Sequence, residues 1–451
     1  MDSADLVVSG GTLVTMDANS RVIEDGAIAI QNGSIAAIGE RADMESRYQA
    51  RKAIDASGAL VLPGLINGHA HAAMSLFRGF ADDHALNDWL QKYIFPAEAQ
   101  NVTEDFVEWG TQLSMAEMIR GGITTYADMY YFEDAVARVT KKAGMRGILG
   151  ETIVDFPAPD HRTPAAALEY TQKFIDQWRN DPLVTPAVAP HSIYTLSEKN
   201  LQAACALARR NGVPILIHVA EAPFETAQSR SRHGLSPVAY LERIGLLGPD
   251  VVAAHCVWVD SADIAALGRF DVGSVHSPSS NMKLAAGVMP VVEVLAAGNR
   301  LGLATDGAAS NNSQDLFEEM DLAAKLQKVA RMDPRALPAK QVLEMATIRG
   351  AQALHLEKQI GSLEEGKRAD LILVDTTGPH AAPMYNVYSQ LVYALKGSDV
   401  RTVVIDGKLV MEERRLLTLN EKEIVERAHH YQKKVAALHS VPQMSVPGRF
   451  S

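Results

Sequence analysis

Cysteine is nearly absent from this chain: Cys205 and Cys256 are the only two in 451 residues. A disulfide framework and a structural site of clustered thiolates are therefore excluded. Cys205 falls in a stretch with helical spacing and Cys256 directly follows His255 in an apolar run, so both are expected to be reduced, buried, small apolar residues. No run reaches ~18 uninterrupted apolar residues, which excludes a membrane-spanning helix. No basic stretch is dense enough to track a phosphate backbone, and 54 acidic against 43 basic residues leave a net charge of −11. Nucleic acid is thereby excluded as a partner. The first residues, MDSADLVVSGG, lack the basic region and apolar core of a secretory leader, and the expectation is a soluble cytoplasmic protein.

What the chain does have is length, and a repeated pattern. Its 451 residues suffice for one large α/β barrel plus a smaller accessory domain. Eight short apolar runs occupy residues 60–71, 122–130, 146–155, 184–192, 214–221, 251–259, 272–281 and 301–309. Most are followed by segments with apolar residues three and four apart, among them VTEDFVEWGTQLSMAEMIRGG, DAVARVTKKAG, LQAACALARRNG and VVEVLAAGNR, each closing on Gly or Asn-Arg. Eight alternations of strand and helix predict a (β/α)8 barrel of the TIM type, with its active site at the C-terminal mouth of the strands. A doubly wound open sheet is the alternative, and candidate residues at the ends of several different strands favour closure.

The flanks are patterned differently. Residues 4–60 alternate in short strands broken by turns, and Asn32-Gly33 between two apolar runs is a tight hairpin signal. After the barrel, IGSLEEGKRADLILVD and VRTVVIDGKLVME repeat the style, with Asp406-Gly407 as a second hairpin. The two β-rich flanks are expected to meet in space as one small β-sandwich domain made from both termini. The expected division is thus 1–60 for the first part of the sandwich, 61–362 for the barrel, 363–415 for the second part, and 416–451 for a terminal helix and an irregular tail.

Four of the eight runs end in residues that suit a metal. LPGLINGHAH closes on His69 and His71, PILIHVAE carries His218 and Glu221, VVAAHCVWV carries His255, and LGLATDG carries Asp306. A divalent transition metal takes neutral imidazoles and a carboxylate from rigid elements, with one position left open. A lone histidine on an apolar strand is ordinarily a hydrogen-bonded core residue. A set of six such residues, all at strand C-terminal ends, does not arise that way. His69 and His71, two apart on one strand, point to the same side.

PGLINGHAH, HVAE at 218–221, HCV at 255–257, SPSSNMKLAAG at 277–287 and TDGAASNN at 305–312 together resemble the amidohydrolase superfamily. Within it they resemble the 5-methylthioadenosine/S-adenosylhomocysteine deaminases, from residue 4 to about 415. The resemblance implies a shell of His69, His71, His218 and Asp306 around one divalent cation, with zinc the first choice as a redox-silent Lewis acid. Binuclear members of the superfamily carry a bridging lysine at the end of the fourth strand, but VTPAVAPHSIY has none, so one metal is expected. The implied reaction is hydrolytic deamination of an adenosine-type nucleoside. Glu221, three residues beyond His218, is the implied proton carrier, His255 the hydrogen-bond partner of the attacking hydroxide, and Asp306 an acceptor of the water's proton. Glu221 and Asp306 therefore also face the substrate.

Specificity is carried by fewer signals. Glu98, in IFPAEAQ, matches the family's ribose-binding glutamate, and two vicinal hydroxyls suit a carboxylate acceptor. His191, in APHSIYT, matches a substrate-contacting histidine. Trp89 and Phe95 either wall the purine or the 5′-substituent, or pack an amphipathic loop helix on the barrel. Some members hold the S-adenosylhomocysteine carboxylate with an arginine after the third strand, where LGETIVDFP has Glu151, and Arg162 in the next loop is the substitute. The family also implies a homodimer. Guanine-type bases, pterins and triazines are rival substrates that share the metal shell, and Glu98 separates them because a ring without ribose gives it nothing to bind. A cytidine-deaminase-type site is excluded by the missing P-C-x-x-C signature. A non-catalytic barrel scaffold is disfavoured because every ligand is present.

Overall fold

The structure, a computed structural model, describes residues 1–439. The irregular tail expected beyond that point lies outside the described residues, whereas the terminal helix is present as Glu421–His439. The eight barrel strands are Leu65–Ala70, Ile123–Tyr130, Arg146–Ile153, Val184–Pro190, Ile215–Val219, Val251–His255, Gly273–His276 and Arg300–Leu303, neighbours in sequence order. Every pairing between them is parallel. The eighth strand returns to the first through side chains and backbone: Asn67 Nδ2 donates to Thr305 Oγ1 at 2.7 Å, and the Asp306 amide donates to the His69 carbonyl at 3.0 Å. Closure of the barrel is therefore made by two candidate ligands, His69 and Asp306, and by their neighbours Asn67 and Thr305.

The helices follow from local chemistry. Thr103 Oγ1 accepts from the Phe106 amide to start Glu104–Arg120, an N-cap typical of its type. Glu133–Ala143 and Glu198–Asn211 end at Gly144 and Gly212, at φ 73° and 65°. A residue with Cβ is strained in that left-handed conformation, so glycine stops the helix there. Along Glu133–Ala143 the buried residues Val136, Val139, Thr140 and Ala143 recur at three and four, which turns one stripe to the barrel. Each valine so buried contributes roughly 1.5–3 kcal/mol.

The first apolar run, 60–71, is not one barrel strand. It divides at Gly64, with Ala59–Pro63 in a second sheet and Leu65–Ala70 in the barrel. A Cβ on Gly64 would lie 2.1 Å from Thr124 Oγ1, so only glycine lets the chain cross between the sheets at this point. The second sheet is mixed and nine-stranded. Asp2–Val14, Val22–Gln31, Ser34–Glu40, Tyr48–Asp55 and Ala59–Pro63 come from before the barrel, and Leu371–Asp375, Val400–Ile405, Lys408–Glu412 and Arg415–Leu416 from after it. The halves join where Ala59–Pro63 runs antiparallel to Leu371–Asp375. Both expected hairpins form, with Asn32 and Gly33 at φ 53° and 77° and Asp406 and Gly407 at 54° and 72°. Residues from both halves, such as Leu6, Ile30, Val61, Leu371 and Val404, share one apolar core.

The bottom of the barrel is plugged, which leaves the mouth as the open end. The helix Ile348–Ala353 packs under the strands, and a Cβ on Gly273 would lie 1.9 Å from the Ala353 carbonyl. Arg146, at the start of the third strand, pairs through both Nε and Nη2 with the Asp370 carboxylate at 2.9 and 3.2 Å. That buried fork docks the second sheet onto the closed end, opposite the site.

Candidate metal centre and active site

Three imidazoles and one carboxylate converge at the mouth. His69 Nε2 and His71 Nε2 each lie 3.4 Å from Asp306 Oδ1, and His218 Nε2 lies 3.3 Å from His71 Nε2. Those separations are long for hydrogen bonds. They match the edge of a tetrahedron whose corners stand about 2.0–2.1 Å from a central ion, which is about 3.3–3.4 Å. His69 Nε2 is buried with no hydrogen-bond partner. Two of the other ring nitrogens are committed elsewhere: His71 Nδ1 lies 2.6 Å from the Met129 carbonyl and His218 Nδ1 lies 2.8 Å from the His191 carbonyl. A carbonyl only accepts, so each Nδ1 carries the proton and each Nε2 presents a lone pair.

The charge states agree with a cation site. Burial pushes His69 down to about 4 and His218 well below its ordinary value, with neighbouring histidines pushing His218 further. Both rings are therefore neutral near pH 7, as ligands must be. Burial alone would raise the Asp306 carboxyl, but contact with His69 and the surrounding imidazoles holds it well below its usual range. Asp306 Oδ2 accepts from Ser280 Oγ and Ser310 Oγ at 2.7 and 2.9 Å, which fixes Oδ1 toward the histidines. The donor set fits one divalent cation.

Glu221 stands beside this centre without joining it. Its carboxyl is 4% exposed, and Oε1 lies 3.7 Å from His255 Nε2. Burial pushes that carboxyl well above its ordinary range and the Asp306 charge adds to the shift, a direction that favours the protonated form a general acid needs. His255 Nδ1 lies 3.0 Å from Asn281 Oδ1. The amide oxygen accepts, so His255 Nδ1 carries a proton and the Nε2 edge of the ring faces Glu221 and the centre. Ala220, His255, Cys256 and Asp306 all sit at positive φ, between 46° and 73°. Strained backbone gathered at three strand ends is characteristic of a functional site.

The same centre opens into a cavity that encloses, with its mouth, about 580 Å³, a size that takes a small organic ligand. Part of the lining is apolar, made by Met74, Leu86, Trp89, Leu90, Phe95 and Leu284, and part carries His191, Glu221, His255 and Asp306. Glu98 lines the cavity too, 4% exposed, with Tyr130 Oη donating to its Oε1 at 2.8 Å.

A family model described as the amidohydrolase family matches residues 60–410. The chain belongs to that family. This amidohydrolase is similar to the 5-methylthioadenosine/S-adenosylhomocysteine deaminase of Syntrophobacter fumaroxidans, 50% identical over 96% of this chain and 98% of that protein. The 5′-deoxyadenosine deaminase of Methanosarcina acetivorans is 42% identical over 96% and 99%. A solved structure, an adenosine deaminase from Xanthomonas campestris with bound zinc, superposes at a TM-score of 0.95, with 37% identity over 97% of this chain and 99% of that one.

Two positions read from the sequence of this amidohydrolase stand apart from the cavity. Arg162 is exposed and is not part of the cavity wall. Glu151 is fully buried behind the wall, where its Oε2 accepts from the Glu133 amide at 3.1 Å and its Oε1 lies 3.6 Å from His161 Nε2. It therefore belongs to a buried cluster with Glu133, Asp160 and His161, and is not part of the cavity wall. Trp89 and Phe95 line the cavity and also pack on the main apolar core, Trp89 as a buried member of it. Ser280, Asn281, Ser310, Tyr130 and Glu225 escaped sequence reading as functional residues. Ser280 and Asn281 lie within SPSSNMKLAAG and Glu225 follows HVAE by four, so position next to a motif was the available signal.

The two cysteines are free and buried, and no helix among the described residues is long and apolar enough to cross a membrane.

Proposed function

We propose that this amidohydrolase removes the 6-amino group of adenosine-type nucleosides by hydrolysis, yielding the inosyl product and ammonia. The observation that carries the reading is a buried carboxylate, Glu98, in the same cavity as the His69, His71, His218 and Asp306 centre. The similarity to the nucleoside deaminases above supports it. Zinc is the cation of choice, because it takes three imidazoles and a carboxylate and needs no redox partner. When bound, the cation supplies a hydroxide nucleophile at neutral pH.

The chain's own residues do the rest. His255 accepts a hydrogen bond from the attacking oxygen through Nε2 and aims it at C6 of the purine. Glu221 gives its proton to ring nitrogen N1 as the C6–O bond forms, so the ring's electrons have somewhere to go. The proton of the added hydroxyl then passes through the Glu221 carboxylate to the amino group. The C6–N bond breaks, ammonia leaves and C6 becomes a carbonyl. With the cation in place, Asp306 would take up the proton lost by the attacking water and pass it back to Glu221, which restores the starting charge state. His191 packs against His218 at a ring separation of 4.6 Å, where it bounds the purine. The apolar wall of Trp89, Leu90 and Phe95 takes the 5′-substituent.

At a pH where Glu98 is ionised, Glu98→Ala is expected to lower kcat/KM for 5′-methylthioadenosine by roughly 2–4 kcal/mol, the scale of two charge-assisted bonds lost in a desolvated site. Analogues without the 2′- and 3′-hydroxyls should lose almost nothing. Burial, only partly offset by the Tyr130 hydroxyl, pushes Glu98 up to about 8. A carboxylate raised in this way is neutral at pH 7 and ionises as pH rises, and only the ionised form accepts from both hydroxyls. KM for the intact nucleoside should therefore fall as pH passes through about 8, a change absent from the dihydroxyl-free analogue. A parent enzyme indifferent to the hydroxyls, or faster on free bases and triazines, would end the nucleoside reading and leave the metal-dependent hydrolase.

Among the described residues that line the cavity there is neither lysine nor arginine. 5′-Methylthioadenosine is accordingly expected to be at least as good a substrate as S-adenosylhomocysteine. Side-by-side kcat/KM measurements check this, and a clear preference for S-adenosylhomocysteine would bring Arg162 back to the site.

A further inference from the structure

We propose that Glu225 is a positioning residue for this reaction: its carboxylate holds the turn that aims Glu221 into the cavity. The proposal rests on Glu221 being the proton carrier. Glu225 lies in the first turn of the helix Pro223–His233 and is 1% exposed. Oε1 accepts from the Ala220 amide at 2.9 Å and Oε2 from the Glu221 amide at 2.8 Å. Both oxygens are thus taken by consecutive N–H groups of the connection between the fifth strand and this helix.

Two features separate this arrangement from ordinary helix capping. A glutamate at the third helical position ordinarily reaches back to the backbone N–H of the N-cap residue. The N-cap here is Ala222, and Glu225 reaches past it to the two residues before. Those two bonds also hold a conformation that the chain does not favour by itself: Ala220 sits at φ 52°, in the left-handed region disfavoured for a residue with Cβ. The carbonyls of Val219 and Ala220 are engaged by the sixth strand's exit, accepting from Cys256 and Trp258 amides at 3.0 and 2.8 Å. The amides of Ala220 and Glu221 are held by Glu225. Loss of one oxygen acceptor leaves an amide unpaired and lets Ala220 relax, which swings the Glu221 side chain away from the purine ring nitrogen. Substrate contacts made by Glu98 and the apolar wall, and the ligands His69, His71 and Asp306, belong to other elements and stay in place, while His218, on the strand before the turn, is held separately by the His191 carbonyl at 2.8 Å from its Nδ1.

The test is a double-mutant cycle on zinc-loaded protein, reading ammonia release from 5′-methylthioadenosine and metal content for the parent, Glu225→Gln, Glu221→Gln and the double variant. Glu225→Gln keeps the size and one acceptor oxygen but turns an NH2 group on the other amide. Its expected effect is a fall in kcat of roughly 10²-fold, the scale for a misplaced reacting group, with KM and metal content within about twofold of the parent. In the Glu221→Gln background the same change should cost nothing further, because there is no proton carrier left to misplace. Glu225→Asp, one methylene shorter, reaches only one of the two amides and should give an intermediate fall in kcat at parental KM. It keeps the question answerable should Glu225→Gln fold poorly. Losses that multiply in the double variant, a loss confined to KM or to metal content, or parental kcat in both Glu225 variants would overturn the proposal. Near-parental kcat in Glu221→Gln would instead overturn the proton-carrier reading, and this proposal with it.

Discussion

Replacing His69 and His71 together with alanine is expected to give a folded chain that holds no tightly bound metal and releases no measurable ammonia. The parent should carry about one equivalent per chain, because four donors converge at the mouth, with three of their spacings at 3.3–3.4 Å, and the fourth strand ends in VTPAVAPHSIY, without a lysine to bridge two ions. Two of four donors cannot be lost and the site kept, since Asp306 and His218 then face each other across an unfilled gap. The fold survives because the site is built on strand ends and the plug under the strands lies at the opposite pole. Parental protein treated with a chelator should behave in the same way, inactive with unchanged far-ultraviolet circular dichroism. Its Tm should be lowered, since a metal that binds only the native state stabilises it by mass action. Elemental analysis giving two tightly held metals per active chain, or full occupancy in the double variant, would remove the mononuclear reading.

Glu221→Gln should lower kcat by roughly 10²–10⁴-fold, the span that general acid–base catalysis contributes. The amide has the same shape and can still hydrogen-bond, but it has no proton to give to N1 and no carboxylate to carry the second proton to the amine. KM and metal content should remain near parental, because Glu221 ligates nothing and its backbone position is set by Glu225. That combination marks an interaction made only in the transition state. A variant with near-normal kcat would mean that another group moves the proton. His255 is the first to examine then, since its Nε2 is 3.7 Å from Glu221 Oε1.

Some of this was determined by the sequence itself. Hairpins at Asn32-Gly33 and Asp406-Gly407, helix stops at Gly144 and Gly212 and the eight barrel strands are matters of local backbone preference and apolar period, which neighbouring residues settle among themselves. The candidate ligands were legible for a related reason. In a parallel barrel every strand delivers its C-terminal end to one mouth, so His69, His218, His255 and Asp306 could be brought together from their places in the runs without knowing a single contact. What only the tertiary structure decided depends on distances across the chain. The run at 60–71 is apolar throughout, and nothing in its period marks Gly64 as the crossing between two sheets; the closeness of Thr124 does. Glu151 occupies the place after the third strand where an arginine would meet a ligand, yet the packing of Glu133 and His161 turns it inward. The groups that orient the ligands and the proton carrier, Ser280 and Ser310 on Asp306, Asn281 on His255, Tyr130 on Glu98, come mostly from other loops, and such pairings follow no spacing rule. A strand end can be read from its own residues, whereas a hydrogen-bond partner supplied by another loop exists only once the whole chain has folded.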